Sequence, residues 1–108
     1  MKRVRIAFTI VALATLPAVP IFAQDDAKIS KGKTVFAAQK CTMCHAIEGK
    51  GNKNAPLDGV GGKLSADDIK KWIVSPKDMK ADTKMKAYPS LTPEDLDALV
   101  TYLSSLKK

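Results

Sequence analysis

The sequence predicts a small all-α domain of three main helices joined by long loops. Three observations carry this. "LSADDI" and "LTPEDL" repeat one helix-start pattern. The second leads into an apolar stripe of helical period. No stretch alternates apolar and polar residues convincingly enough for a strand.

The first 23 of the 108 residues stand apart. Lys2, Arg3 and Arg5 precede Ile6 to Leu16, which is apolar apart from Thr9 and Thr15. Pro17 and Pro20 break any helix, and "PIFAQDD" offers a cut after Ala23. That is the order of a secretory signal, and the apolar run is short for a bilayer span. The expectation is a cleaved leader, 1–23, followed by a domain, 24–108, exported to the periplasm. The alternative is an uncleaved N-terminal anchor, which would tether the domain to a membrane. Otherwise membrane contact comes only through partners.

Along the domain, Gln24 to Lys28 is polar and expected to fray. Ser30 can cap a first helix over 31–40, with Val35 and Phe36 as its large apolar residues. Residues 41–63, rich in Gly, Asn and Lys, read as loop. A second helix is expected over 66–74. Ser65 is its N-cap, Asp68 its third residue, and Leu64 and Ile69 are spaced as a hydrophobic staple. A loop over 75–91 follows. The last helix, 93–106, repeats the pattern with Thr92, Pro93, Asp95, Leu91 and Leu96. Its stripe is Leu96, Leu99, Val100, Leu103 and Leu106.

Loops this long in so small a domain need something to wrap around. The core is also thin enough to need a staple. Residues 24–108 hold fifteen lysines against eleven acids, a formal +4, and every arginine lies in the leader. Without an arginine or aromatic cluster, no nucleic-acid partner is expected.

"KCTMCHAIEGKG" supplies the missing piece. Cys41, Cys44 and His45 are both cysteines and the single histidine of the chain. C-x-x-C-H is the attachment signature of haem c. The thiols add to the haem vinyl groups as thioethers, the spacing turning both toward one porphyrin edge. The adjacent His45 reaches the iron. A thioredoxin-like pair would need alternating strands and helices. A structural zinc site would need a fourth ligand. A plain disulfide, which an oxidising compartment permits, would not call for the histidine. The opposite iron face has two candidates, Met79 and Met85, since Met43 lies between the cysteines and Met1 leaves with the leader.

On these residues the chain resembles the class I monohaem c-type cytochromes of small bacterial type, over about 29–106. "GKTVFAAQKCTMCH" resembles their first helix and attachment motif. "NAPLDGVGGK" resembles the loop whose proline carbonyl, here of Pro56, accepts a bond from the proximal histidine. "TKMKAYPSLTPEDLDALVTYLSSL" resembles the axial-methionine loop and last helix, which implies Met85 as distal ligand. Lys86 stands where the family often has proline. The resemblance further implies a small cytochrome c fold around one covalent haem. Gly32 and Phe36 would cross Leu99 and Tyr102, and Trp72 and Tyr88 would lie near the haem propionates. It implies a one-electron carrier, not an enzyme, working in electron transport of a respiratory chain. The alternative is a cytochrome subunit permanently bound to a periplasmic oxidoreductase. Lys77, Lys80, Lys84, Lys86, Lys50 and Lys53 crowd the expected haem edge, so redox protein partners are expected to offer an acidic docking surface.

Overall fold

The computed structural model describes residues 10–18 and 21–108. The leader's charged start, within residues 1–9, and Pro20 lie outside the described residues. Residues 10–18 carry no regular structure. No described helix is long and apolar enough to cross a membrane.

Helix α1 spans Ile21–Ala38, ten residues more at its start than the expected 31–40. The stretch expected to fray is helical instead. It is polar, but it holds no glycine or proline before Gly32, and alanine, glutamine and lysine favour helix. Ile29 packs against the core. Lys28 and Lys31 reach the start of the last helix, the first pairing with Asp97 at 2.9 Å. These pairs are exposed and add little stability. The helix stops after Ala38, and Lys40 takes a left-handed φ of 58°.

A 3-10 turn, Cys41–Met43, follows. Then β1 (Ala46–Ile47) and β2 (Lys50–Gly51) pair antiparallel. The two residues between them, Glu48 and Gly49, have φ of 52° and 77°. Positive φ at both positions is the hallmark of a type I′ hairpin. This hairpin is absent from the sequence reading because two-residue strands leave no alternation to detect. Three short pieces thus occupy the expected loop 41–63, the last being α2 (Val60–Lys63).

Helix α3 (Ala66–Val74) matches the expectation, and the Ser65 hydroxyl accepts the Asp68 N–H at 3.1 Å. α4 (Pro76–Met79) is one turn inside the expected loop 75–91. α5 (Pro93–Ser104) is capped by Thr92, whose hydroxyl accepts the Asp95 N–H at 3.1 Å. It ends two residues before the expected 106.

The fold is all-α apart from the hairpin. Helix α1 packs most extensively on α5, and α3 packs on α5 beside it. The crossing puts Gly32 against Ala98 and Tyr102, and sets the Phe36 and Tyr102 rings edge to face at 6.0 Å. A Cβ on Gly32 would run into the Ala98 carbonyl and the Tyr102 Cβ. Alanine is worth about 1 kcal/mol over glycine inside a helix. Overpacking costs about 1–3 kcal/mol, and a backbone carbonyl cannot step aside as a side-chain tip can. Gly32→Ala is therefore expected to lower stability by about 1–2 kcal/mol, reversing the sign of the propensity effect. Urea unfolding of the holoprotein checks this; an unchanged or raised midpoint would refute the close crossing.

Candidate cofactor site

The backbone of the attachment motif forms a single helical turn. Cys44 N–H donates to the Cys41 carbonyl at 3.1 Å and His45 N–H to the same oxygen at 2.9 Å. Residues i, i+3 and i+4 of such a turn share one side. The spacing of Cys41, Cys44 and His45 thereby becomes proximity.

The β1–β2 hairpin folds back beneath this turn. Gly51 has a φ of 109°, and a Cβ there would strike the His45 carbonyl. Asn52 then ties the turn down. Its N–H donates to the carbonyls of Thr42 (3.0 Å) and His45 (3.2 Å), and its Nδ2 to that of Met43 (3.1 Å). Sequence reasoning missed Asn52, because nothing in a Gly-, Asn- and Lys-rich loop separates it from Asn54.

His45 Nδ1 lies 2.9 Å from a carbonyl oxygen, that of Ala55. A carbonyl only accepts, so Nδ1 carries the proton and Nε2 keeps its lone pair. Such a partner fixes the tautomer and strengthens a metal-binding imidazole. The acceptor is not Pro56, as the resemblance implied. Ala46 bridges Pro56, and Leu57 N–H donates to the Ala46 carbonyl at 2.8 Å. All described peptide bonds are trans, so the Pro56 carbonyl points opposite to that N–H, away from the 45–46 backbone. The preceding carbonyl, of Ala55, points toward the histidine. Pro56 contributes to this arrangement through its backbone register.

The histidine faces a cavity of about 280 Å³. Phe36, Ile69, Ile73, Leu99 and Leu103 form much of its wall, and all five belong to the hydrophobic core. Cys41, Trp72, Met85 and Tyr88 line it too. An adjoining cleft adds Cys44, Lys40, Lys84 and Lys86. Of the residues singled out from sequence, Cys41, His45, Trp72, Met85 and Tyr88 line the cavity and Cys44, Lys84 and Lys86 the adjoining cleft, whereas Pro56, Lys50, Lys53, Lys77 and Lys80 line neither. Met79 lies elsewhere, in a cleft with Lys70, Lys71 and Asp78 beside α3 and α4. Met43 is 69% exposed.

The donor chemistry fits a covalently held haem. Both cysteines are free. Burial pushes the Cys41 thiol up. Among the described residues, no cluster of three His, Cys, Asp or Glu side chains could hold a zinc ion. An apolar wall suits a porphyrin face, and one imidazole nitrogen is poised to coordinate. Burial also pushes the Tyr88 phenol up, so it stays a neutral hydroxyl in the cavity wall.

Residues 29–107 match the sequence model of the cytochrome c family. The chain belongs to the cytochrome c family. A cytochrome c domain carries covalently bound haem c and serves haem-based electron transfer. The cytochrome is 34% identical over 87 residues to cytochrome c oxidase subunit 2 of Alkalihalophilus pseudofirmus, covering 72% of this chain and 25% of that protein. It is 27% identical over 92 residues to cytochrome c oxidase subunit 2 of Bacillus subtilis (strain 168), covering 71% and 26%. It thus spans about a quarter of the length of the curated relatives it matches.

Proposed function

We propose that this cytochrome is a periplasmic one-electron carrier with a single haem c. Cys41 and Cys44 would anchor the group, and His45 and Met85 would coordinate its iron. The observation that carries this reading is the convergence of Cys41, His45 and Met85 on one apolar cavity, with Met79 outside it. When bound, the haem supplies an iron that takes up and releases one electron. The chain does the rest. His45 is oriented by Ala55, Met85 would occupy the iron against substrates, and the apolar wall would exclude water. A thioether ligand raises the reduction potential, which suits shuttling rather than oxygen activation.

The second reading is a cytochrome subunit held permanently on a larger oxidoreductase. It is favoured by the relatives, both subunits of a cytochrome c oxidase.

The partner surface follows from charge. Lys40, Lys84 and Lys86 line the cleft that holds both cysteines, and no acid lines it. The ion pairs of the described residues instead join α1 to α5. An acidic docking surface is thus steered to the cysteine edge. Reversing Lys84 and Lys86 to Glu is expected to slow association about tenfold or more at low salt. Reversing Lys63 and Lys108, which line neither the cavity nor that cleft, changes net charge equally and has a much smaller effect. Stopped-flow electron transfer with the native partner, across an ionic-strength series, checks both. Equal losses would reduce the effect to net charge. A wild-type rate indifferent to salt would favour the bound subunit over the shuttle.

A further inference from the structure

Met85 sits in a stretch, 80–92, without regular structure. Little holds it there. Among the described residues, the N–H groups of Lys84, Lys86 and Ala87 find no partner within the protein. The next tie along the chain is Tyr88 N–H to the Ile73 carbonyl at 2.8 Å. Before Met85, Lys80 N–H caps the end of α4 on the Pro76 carbonyl at 3.0 Å, and beyond Lys80 every tie passes through Thr83. Its N–H donates to the Lys80 carbonyl at 3.1 Å, and its own carbonyl accepts Lys77 Nζ at 3.3 Å. Its hydroxyl oxygen accepts the Met85 N–H at 3.2 Å. Thr83 is half-buried and lines the same cavity as Met85.

We infer that Thr83 is a positioning residue that holds Met85 at the iron through the bond from the Met85 N–H to the Thr83 hydroxyl. The inference rests on the reading of Met85 as distal ligand. Thr83 is itself anchored to the end of α4, so its hydroxyl is a fixed point on an otherwise loose segment. The side chain of Met85 can stay on the metal only if its backbone stays in place. Without the hydroxyl, the bound position competes with many unbound loop conformations. An external ligand then displaces the methionine more readily, because less must be undone.

The test uses ferric holoprotein and imidazole as the competing ligand. Binding is followed through the near-infrared charge-transfer band of methionine-ligated haem and through the Soret shift. Thr83→Val and Thr83→Ala, which lack the hydroxyl, are expected to bind imidazole on the order of fivefold more tightly than wild type, the worth of one net hydrogen bond. Thr83→Ser keeps the oxygen and is expected to return the affinity to within about twofold of wild type. A role in packing alone would not be rescued by serine. Wild-type affinity in both hydroxyl-less variants would overturn the inference, as would tightening in Thr83→Ser equal to theirs. Met85→Ala runs beside them. If it loses the band while the Thr83 variants match wild type, the ligand reading stands and the positioning role falls. If it keeps the band, the ligand reading falls and the inference with it. Should the valine variant fail to hold haem, the alanine and serine pair decides the question.

Discussion

Acidified organic solvent is expected to leave all the haem on the wild-type polypeptide and to strip it completely from the Cys41→Ala, Cys44→Ala double variant. Acidified solvent denatures the chain and breaks coordination to the iron, so only carbon–sulfur bonds can then hold the group. The two cysteines stand one helical turn apart, Cys41 half-buried and Cys44 exposed, and on the proposed reading each would supply one thioether. Either single variant should keep its haem through the remaining bond. The intact mass of the purified protein gives the same answer independently, as an increase of one haem. Haem released from the wild type by acid would refute covalent attachment through this motif.

Met85→Ala is expected to abolish the near-infrared band and lower the reduction potential, whereas Met79→Ala changes neither. The contrast follows from position. Met85 lines the cavity that His45 faces, while Met79 lies in a separate cleft. Replacing thioether ligation with water or hydroxide removes the soft donor that favours ferrous iron. Axial ligands set haem potentials over roughly 0.8 V, so a fall on the order of 0.1 V or more is expected. Potentiometric titration measures it. If Met79→Ala instead removed the band, the loop would have to rearrange around α4, and the cavity described above would not be the haem site.

What could be read from the sequence was chemistry confined to a few neighbouring residues. Ser65 and Thr92 cap α3 and α5 as their spacing demands, because a capping bond reaches only three residues along the chain. The C-x-x-C-H run is equally local, and one helical turn converts it into a site. The start of α1 was misjudged for the opposite reason. Polar residues 24–28 show no apolar period, and their helicity depends on an uninterrupted run into the segment that packs on α5. The Ala55 bond to His45 was misplaced by one residue, since the choice between neighbouring carbonyls is made by a bridge between Ala46 and Pro56 that no local pattern encodes. Asn52 and Thr83 were invisible. Each acts through backbone partners whose proximity exists only once the chain has folded. Met79 and Met85 could not be separated from spacing alone. The family resemblance favoured Met85, which lines the cavity that His45 faces.

The sharing of five side chains between core and cavity wall has a consequence for dilution. A domain whose interior is completed by a reversibly bound ligand is stabilised in proportion to the logarithm of that ligand's concentration. It unfolds when the ligand is scarce. A group tied to Cys41 and Cys44 escapes that dependence. After any unfolding it is still on the same chain as Phe36, Ile69 and Leu99, at an effective concentration set by the tether rather than by the surroundings. Refolding becomes a first-order event, independent of any pool. Wherever free haem is scarce, two carbon–sulfur bonds replace a supply line.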